Sequence, residues 1–325
     1  MKCLTIERFR SCRTSNCEMA RREARDSYTI DFSFVKTIET RPRAPRVKFP
    51  LDPVWTKNKA KLIAKYLFEF VFVTHHGTYI DGFAGPQRAG KPNTWAAKLV
   101  LENTPKWLRH FYLFDKDPKQ IERLERLKDS QPPPDKEKNE PERTITVKLG
   151  DANSLITEVL QSSEIRQTEA TFCLLDQRNI ECEWSTLSAL SNYKQSGNKI
   201  ELLYFLPSAW LDRALKNRRK NQEAIAKWWG GDDWQIFENM SRFDRAQLFV
   251  YRFKKELGYW SATALPIFAD NSPSRVMFYM IHATDHPLAP TLMARAYRKA
   301  LQPETAEQVQ IEIDQLLKTP LQTRR

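Results

Sequence analysis

The chain of 325 residues has no apolar run long enough to cross a membrane. A membrane-spanning helix needs about 20 predominantly apolar residues, whereas "YLFEFVFV" at residues 66–73 is much shorter and is interrupted by Glu69. The basic N-terminus also lacks the continuous apolar core, about 7–15 residues long, of a secretory signal. These absences argue against a helical membrane protein, and we expect the protein to be located in the cytoplasm.

Cysteine is scarce, and its number is odd. The five residues are Cys3, Cys12, Cys17, Cys173 and Cys182. Such a scattered set excludes the disulfide framework of small secreted domains. The three N-terminal cysteines lack the two-residue spacing of common zinc and iron–sulfur loops. We therefore expect reduced thiols and no resident metal, with Cys173 and Cys182 buried as small hydrophobic side chains.

Positive charge is in excess. The formal net charge is +12 and the pI is near 9.4, which favours a polyanionic partner, with nucleic acid first among them. Basic tails and solvated helix faces are the alternative source of such charge. Part of the excess falls in residues 1–48, which lack sustained periodicity and end in a Pro/Arg-rich linker. We predict a poorly ordered basic extension there.

Strand and helix patterns alternate from residue 49 onward. Five strand–helix units are predicted at residues 77–103, 109–129, 144–161, 170–190 and 199–215. Repeated units of this kind predict an α/β fold with a mostly parallel sheet and helices on both faces. The predicted organisation is an α/β domain over 49–213, a basic, Trp-rich helical insertion over 214–265, and a final strand with C-terminal helices over 266–325.

A helix is predicted ahead of the first strand. Over residues 52–72, apolar side chains recur at three- and four-residue steps from Leu62 to Phe70. The lysines of this segment are expected largely on the opposite, solvent-facing side. They are Lys57, Lys59, Lys61 and Lys65.

An acid stands at or just after the end of each of the first four predicted strands. These acids are Asp81, Asp115, Asp151 and Asp176. Because ligands of such sheets bind beyond the carboxyl ends of the strands, the four carboxylates are expected to converge on one crevice. Turns favour aspartate on their own account, but four acids in successive units are harder to assign to turn chemistry alone.

The stretch "GTYIDGFAGPQRAG" (77–90) joins the first strand to a turn of small residues. It fits a phosphate cradle, a nucleoside-cofactor site or a plain tight turn. It lacks the Lys-Ser/Thr end of a nucleotide P-loop and a complete G-x-G-x-x-G. Gly82 and Gly85 still permit close approach of a flat ligand, and Asp115 is placed to accept hydrogen bonds from both hydroxyls of a ribose.

Three short motifs resemble the first three cofactor motifs of S-adenosylmethionine-dependent methyltransferases. They are "YIDGFAG", "LFDKD" and "LGDA". The resemblance implies a Rossmann-like fold and S-adenosylmethionine as cofactor, with Asp151 against the adenine amine. The implied cofactor-binding residues are Asp81, Gly82, Phe83, Ala84, Gly85, Asp115, Asp151 and Ala152.

The fourth unit is expected to face the substrate through Asp176, Gln177 and Arg178. Methyltransferases that act on base amino groups carry Asp/Asn-Pro-Pro-aromatic here. This chain retains an acidic acceptor but lacks the prolines and the aromatic ring. Two hypotheses therefore stay open: a methyltransferase, and a binding subunit that kept the fold without the catalysis.

A second chemical cluster is predicted near the C-terminus, in "HATDHP". His282, Asp285 and His286 are candidate acid/base groups expected to reach the crevice of Asp176. With a divalent metal they would form a nuclease-like site. Helix capping by Asp and a polar seal by His are the alternative.

The segment 214–240 combines a basic run with tryptophans. Its candidate nucleic-acid-binding residues are Arg218, Arg219, Lys220, Trp228 and Trp229. Cationic side chains would meet phosphates, and the rings would stack on bases. The alternative is a charged helix face with tryptophans that anchor the core.

Four blocks between Asp52 and Tyr297 resemble the three-Cys-motif partner proteins (TcmP). They are "DPVWTKNKAKLIAKYL", "YIDGFAGP", "LLDQRNIECEWSTL" and "MIHATDHPLAPTLMARAYR". The resemblance implies a methyltransferase-like α/β domain of bacteria that pairs with a three-cysteine protein similar to radical S-adenosylmethionine enzymes. Many members carry Pro-aromatic-Gly after the fourth-strand acid, where this chain has Gln177 and Arg178.

Overall fold

The computed structural model describes residues 54–86, 90–268 and 276–301. The predicted extension at 1–48, with Cys3, Cys12 and Cys17, lies outside the described residues. The strands are β1 (Thr78–Asp81), β2 (His110–Asp115), β3 (Thr144–Leu149), β4 (Thr171–Leu175), β5 (Glu201–Leu206), β6 (Ser261–Phe268) and β7 (Val276–Thr284).

Helices join the strands. They are α1 (Val54–Thr74), α2 (Ala96–Leu101), α3 (Pro118–Asp129), α4 (Ala152–Gln161), α5 (Trp184–Asn192), α6 (Ser208–Lys216), α7 (Arg218–Trp229), α8 (Arg242–Lys255) and α9 (Ala289–Leu301). Short 3₁₀ helices span Pro92–Thr94 and Trp234–Asn239. None of the described helices has the length and apolar character that a membrane crossing requires.

The strands form one seven-stranded sheet in the order β3-β2-β1-β4-β5-β7-β6. Strands β1 to β5 pair in parallel, whereas β7 is antiparallel to both β5 and β6. The predicted α/β fold with a mostly parallel sheet is confirmed. The order of the first five strands is that of a doubly wound sheet, with β1 beside both β2 and β4.

Both faces of the sheet are covered, which explains why the central strands are apolar rather than alternating. Every residue of β1, β4 and β5 is buried. On one face, Tyr66 and Phe70 of α1 pack against Phe172 of β4, with ring centroids 5.6 and 6.1 Å apart. On the other, Tyr204 of β5 stacks on Phe249 of α8 at 5.9 Å.

Strand β6 is not among the strands predicted from the sequence, and the predicted boundary between residues 265 and 266 falls inside it. "SATALPIF" carries Pro266, which a central strand does not tolerate. Among the described strands, β6 is the last in the sheet order and pairs with β7 only, and such an edge position accommodates a proline.

The sheet has two ends that differ in chemistry. The carboxyl edge is where β1 to β5 end, and the amino edge is where they begin. Because β7 runs the other way, Ala283 near its end pairs with Leu202 near the start of β5, and Tyr279 pairs with Leu206. The last residues of β7 therefore lie at the amino edge.

Candidate functional site at the carboxyl edge

Three of the predicted acids come together at the carboxyl edge. Asp81 ends β1, Asp115 ends β2 and Asp176 directly follows β4, and all three are almost completely buried. Burial raises the pKa of Asp81 to about 7, and the negative charges of Asp176 and Asp115 contribute to that rise. The central acid of the three therefore titrates near neutrality.

The backbone amides of the turn after β1 all donate to neighbouring strands and carboxylates. The amide of Gly82 donates to Leu174 O at 3.1 Å, and the amide of Ala84 donates to Phe114 O at 2.7 Å. The amide of Phe83 donates to Asp81 Oδ1 at 3.0 Å, and that of Gly85 donates to Asp115 Oδ2 at 3.1 Å. Since all four amides already have protein acceptors, this turn is not a phosphate cradle.

The two glycines of the turn are required by packing. A Cβ on Gly85 would lie 2.4 Å from Asp115 Oδ2 and 2.5 Å from Gln120 Cβ. A Cβ on Gly82 would lie 3.2 Å from a methyl group of Leu175 and 3.4 Å from Ala152. The space above each glycine is thus filled by neighbouring side chains, and these two positions supply no cradle for a ligand.

Asp115 has the chemistry that a ribose requires. Its Oδ2 accepts from the Gly85 amide, and its Oδ1 accepts from the Asp117 amide at 3.0 Å. A carboxylate offers about four lone-pair positions, so two acceptor positions remain for a pair of hydroxyl groups. The two amides also fix the orientation of the carboxylate. On this acid the residues present fit a nucleoside cofactor.

Asp151 and Ala152 stand where the third motif was predicted, after β3. Asp151 caps α4, because its Oδ1 accepts from the amides of Asn153 and Ser154 at 2.9 and 3.3 Å. Its side chain is exposed, and Ala152 is buried against Gly82. The contact of Asp151 with an adenine amine stays a prediction.

Asp176 forms an ion pair with Lys59, a residue expected from the sequence to face solvent. Lys59 of α1 is only 3% exposed, and its Nζ lies 2.6 Å from Asp176 Oδ1. The same ammonium lies 5.1 Å from the ring centroid of Phe205 and 5.6 Å from that of Phe278. The expectation that Lys59 faces solvent is therefore wrong.

A signal for Lys59 was present in the sequence. Lys59 stands three residues before Leu62 and seven before Tyr66, so it continues the apolar stripe of α1 by one turn. A lysine on the apolar face of a buried helix needs an acidic partner, because an unpaired buried charge is costly.

Gln177 does not face a substrate. Its Nε2 donates to Phe205 O at 2.9 Å, and its Oε1 accepts from the amides of Glu181 and Cys182, both at 2.9 Å. The side chain is 1% exposed. Gln177 therefore fastens the loop after β4 to β5, which corrects its prediction as a catalytic residue.

Arg178 reaches across the turn to the predicted ribose site. Its Nη2 lies 3.7 Å from Asp115 Oδ2 and donates to Gly85 O at 3.3 Å. The side chain is 41% exposed. Arg178 thus lies against the atoms that a ribose would engage, and it joins the loop after β4 to the end of β2.

The predicted cluster of His282, Asp285 and His286 lies at the opposite end of the sheet. Since β7 is antiparallel, these residues are at the amino edge and do not reach Asp176. His282 is buried, with Nε2 2.9 Å from Glu201 Oε1. Asp285 accepts from the Trp260 amide at 2.8 Å, and the His286 amide donates to Thr284 Oγ1 at 3.1 Å. The polar-seal alternative fits His282, whereas Asp285 bonds the start of β6 and does not cap the helix that begins at Ala289.

The metal-dependent nuclease hypothesis required these histidines and the clustered acids in one crevice, and the topology separates them. Within the described ranges, no group of three or more His, Cys, Asp or Glu side chains is arranged to hold a metal ion. Cys173 and Cys182 are buried, and burial raises the pKa of each thiol. They pack as small hydrophobic residues, as predicted.

The two predicted base-stacking tryptophans belong to the core. Trp228 is 1% exposed and Trp229 is 4% exposed. Their rings pack against Phe249 at centroid distances of 5.0 and 5.7 Å. This burial contradicts a base-stacking role and fits the anchoring alternative. Arg219 and Lys220 are exposed on α7, and the side chain of Arg218 lies outside the described part of the structure.

Comparisons with known proteins identify no family. No family model matches the chain, and no curated protein matches it. Among solved structures, the crystal structure of protein LPL1258 from Legionella pneumophila, of family DUF519, is 13% identical with a TM-score of 0.31. The match covers 50% of this chain and 74% of the other. A likeness this weak carries no argument, and the geometry of the carboxyl edge remains the basis for a functional assignment.

Proposed function

We propose that the carboxyl edge binds S-adenosylmethionine and that the protein acts on, or together with, nucleic acid as a methyltransferase-like protein. The observation that carries the proposal is Asp115, a carboxylate oriented by two backbone amides at the end of β2, with acceptor positions left for two hydroxyls. Beside it, Asp81 and Asp176 complete an acidic edge in the order of strands that doubly wound sheets use.

In this proposal each group has a defined part. Asp115 holds the ribose, and the turn 82–85 supplies a rigid floor. The cofactor, when bound, supplies an electrophilic methyl group. The chain would contribute position and charge rather than covalent help, with Asp81, Asp115 and Asp176 gathered at one edge of the sheet. Asp176 can contact the methyl acceptor only if its ion pair with Lys59 leaves one carboxylate oxygen of Asp176 accessible.

A catalytically inactive binding subunit is the second candidate, and two observations favour it. Lys59 engages the acid that would accept hydrogen bonds from a target amino group. The Gln177 amide is bonded to the loop after β4 and to β5, so it is not available to orient a substrate. In that case the chain serves as the partner of a three-cysteine protein, as its resemblance to that family implies.

The test is calorimetric titration of the purified protein with S-adenosylmethionine, followed by incubation of the complex with labelled methyl donor and mixed RNA or DNA. Asp115→Ala tests the ribose contact, and Asp151→Ala tests the adenine contact. We expect saturable binding that is lost in Asp115→Ala. Binding without methyl transfer selects the binding subunit, and absence of binding in the wild type rejects the cofactor proposal.

A further inference from the structure

An exposed tryptophan lies beside the carboxyl edge, in the first turn of α6. Helix α6 begins at Ser208, directly after β5 ends and Pro207 turns the chain. Trp210 is 41% exposed, which is unusual for so large an apolar side chain. Ser208 and Leu211 of the same helix are buried. The ring therefore stands on the outward side of a helix whose other side is anchored in the core.

An arginine holds this ring in place. The guanidinium of Arg213 lies 3.6 Å from the centroid of Trp210, in stacking contact with one face. Contact with Arg213 restricts the rotamers of both side chains. The exposed 41% of Trp210 is the part that a second flat group can reach.

Cationic side chains continue from the ring along the surface. Trp210, Arg213 and Lys216 recur at three-residue steps, so they share one side of α6. Arg219 and Lys220 follow at the start of α7, and all of these residues are exposed. Over the part of the chain that the structure describes, Lys216, Arg219 and Lys220 form no ion pair with an acid. Their charge is therefore available to an external anion.

Acids near this surface are already neutralised. Asp212 of α6 accepts from Arg242 at 2.8 Å and from Arg245 at 2.5 Å. Glu223 of α7 pairs with Lys227 at 3.0 Å. The net field of the surface is consequently positive, and an anionic partner meets little opposing charge.

We propose that this surface, formed by Trp210, Arg213, Lys216, Arg219 and Lys220, binds single-stranded nucleic acid. An unpaired base stacks on the exposed part of the Trp210 ring, and the phosphates that follow it contact the row of cations. A duplex hides its base faces, so the exposed ring favours a single strand. The inference rests on the nucleic-acid part of the proposed function and names the surface and the form of the nucleic acid.

Fluorescence anisotropy with a fluorescein-labelled 20-mer of oligo(dT) or oligo(U) provides the test. Trp210→Ala is expected to weaken binding about 10-fold, the loss typical of one stacked base. Trp210→Phe keeps a ring and is expected to restore most of the affinity. Trp260→Ala is the matched control, because Trp260 is 62% exposed but lies at the amino edge, at the start of β6.

The cations are tested by salt dependence. Replacing Lys216, Arg219 and Lys220 together by glutamine is expected to lower the slope of log affinity against log salt by about 2, since each single-strand phosphate contact contributes about 0.7. Its charge-matched control replaces Lys119, Lys136 and Lys138, which are exposed on the β2–β3 side of the molecule. That control is expected to leave the slope nearly unchanged.

The proposal would be overturned if Trp210→Ala and Trp260→Ala weakened oligonucleotide binding equally. It would also be overturned if the two triple variants lowered the salt slope equally. Tighter binding of the matching duplex than of the single strand would also overturn it. Poly-glutamate that competes as well as unlabelled oligonucleotide would overturn it too, and would point to an acidic protein partner. Titration with S-adenosylmethionine separates the two claims. If the protein binds the cofactor but not the oligonucleotide, only the nucleic-acid surface is rejected. If it binds the oligonucleotide but not the cofactor, only the cofactor site is rejected.

Discussion

The two edges of the sheet satisfy their buried acids in different ways. At the amino edge, Glu201 is bonded by side chains of two regular elements: Tyr66 of α1, and His282 and Thr284 of β7. At the carboxyl edge, two of the three acids lie beside cations from distant segments, Lys59 for Asp176 and the half-exposed Arg178 for Asp115.

This difference indicates where function is expected. The donors around Glu201 are buried and come from regular elements, so that network fastens α1 to the sheet. A cavity of about 480 Å³ adjoins it, lined among others by Tyr66, Glu169 and Thr284. The carboxyl edge instead holds an acid of raised pKa and a half-exposed arginine over a preoriented carboxylate. Incomplete pairing also occurs at the amino edge, where Glu169 Oε1 has no hydrogen bond among the described residues. The raised pKa of Asp81 distinguishes the carboxyl edge, since such shifts are typical of sites that bind or react.

Removal of Lys59 is expected to have the largest effect on stability. Lys59→Ala removes the buried ammonium that lies 2.6 Å from Asp176 Oδ1. Breaking a buried ion pair typically costs about 3–5 kcal/mol in the free energy of unfolding. Denaturant unfolding measures this loss. Lys61→Ala is the matched control, because Lys61 is a partly exposed lysine on the same helix. Equal losses in both variants would show that the Lys59–Asp176 pair does not stabilise the carboxyl edge.

Asp81→Asn is expected to change how stability depends on pH. The pKa of Asp81 is about 7 in the folded protein and 3.8 ordinarily, so the unfolded chain releases this proton first as pH rises. Wild-type stability therefore falls between about pH 4 and pH 7. Asparagine does not titrate, so the variant does not lose stability in this way. Relative to the wild type, its free energy of unfolding is expected to rise by up to about 4 kcal/mol between about pH 4 and pH 8.

Unfolding of both proteins in denaturant at pH 5, 6, 7 and 8 measures the gain. Asp129→Asn serves as the control, since Asp129 is an exposed acid at the end of α3. Stability curves of wild type and Asp81→Asn that stay parallel across this range would show that the folded protein does not hold Asp81 protonated.

Thr284→Val tests the amino edge with a substitution of nearly equal volume. It removes the hydroxyl that donates to Glu201 Oε2 at 2.9 Å. A hydrogen bond to a charged group contributes about 1.5–3 kcal/mol, and we expect a loss in that range with little change in ligand binding. Thr144→Val, at an exposed position of β3, is expected to stay within about 0.5 kcal/mol. If Thr284→Val lowered the affinity for the cofactor, the claim that the amino edge has a structural role only would be contradicted.

Arg178→Ala is expected to have the smallest effect on stability, because the side chain is half-exposed. An exposed ion pair contributes only about 0.2–1 kcal/mol. In the proposed cofactor site, the guanidinium would compete with the ribose for Asp115. Cofactor binding is therefore expected to tighten about two- to fivefold, as measured by calorimetry. Arg166→Ala, an exposed arginine outside the carboxyl edge, is the control. Weaker binding in Arg178→Ala would mean that the arginine contacts the cofactor.

Much of the fold could be predicted because it depends on local pattern. The α/β alternation and the acids at strand ends follow from apolar periodicity and turn chemistry. The antiparallel direction of β7 could not be predicted, since a strand has the same periodicity in either direction. That single reversal places His282 and His286 at the other edge of the sheet.

Side-chain burial was predicted less well, because it depends on which elements pack together. Trp228 and Trp229 follow a basic run, but they pack against Phe249 of α8, whereas Trp210 is 41% exposed. Lys59 was assigned to solvent by residue type, although its position on the apolar stripe of α1 predicted burial. The glycines of the turn resembled a ligand cradle, but their space belongs to Asp115, Gln120 and Leu175.

The most direct test of cofactor binding at the carboxyl edge is a crystal structure of the protein soaked with S-adenosylhomocysteine, which lacks the transferable methyl group. We predict density at the carboxyl edge, with ribose hydroxyls on the Asp115 carboxylate and the Arg178 guanidinium displaced from it. Density confined to the cavity at the amino edge, or an unchanged Arg178–Asp115 contact at saturating ligand, would contradict binding of the cofactor at this edge.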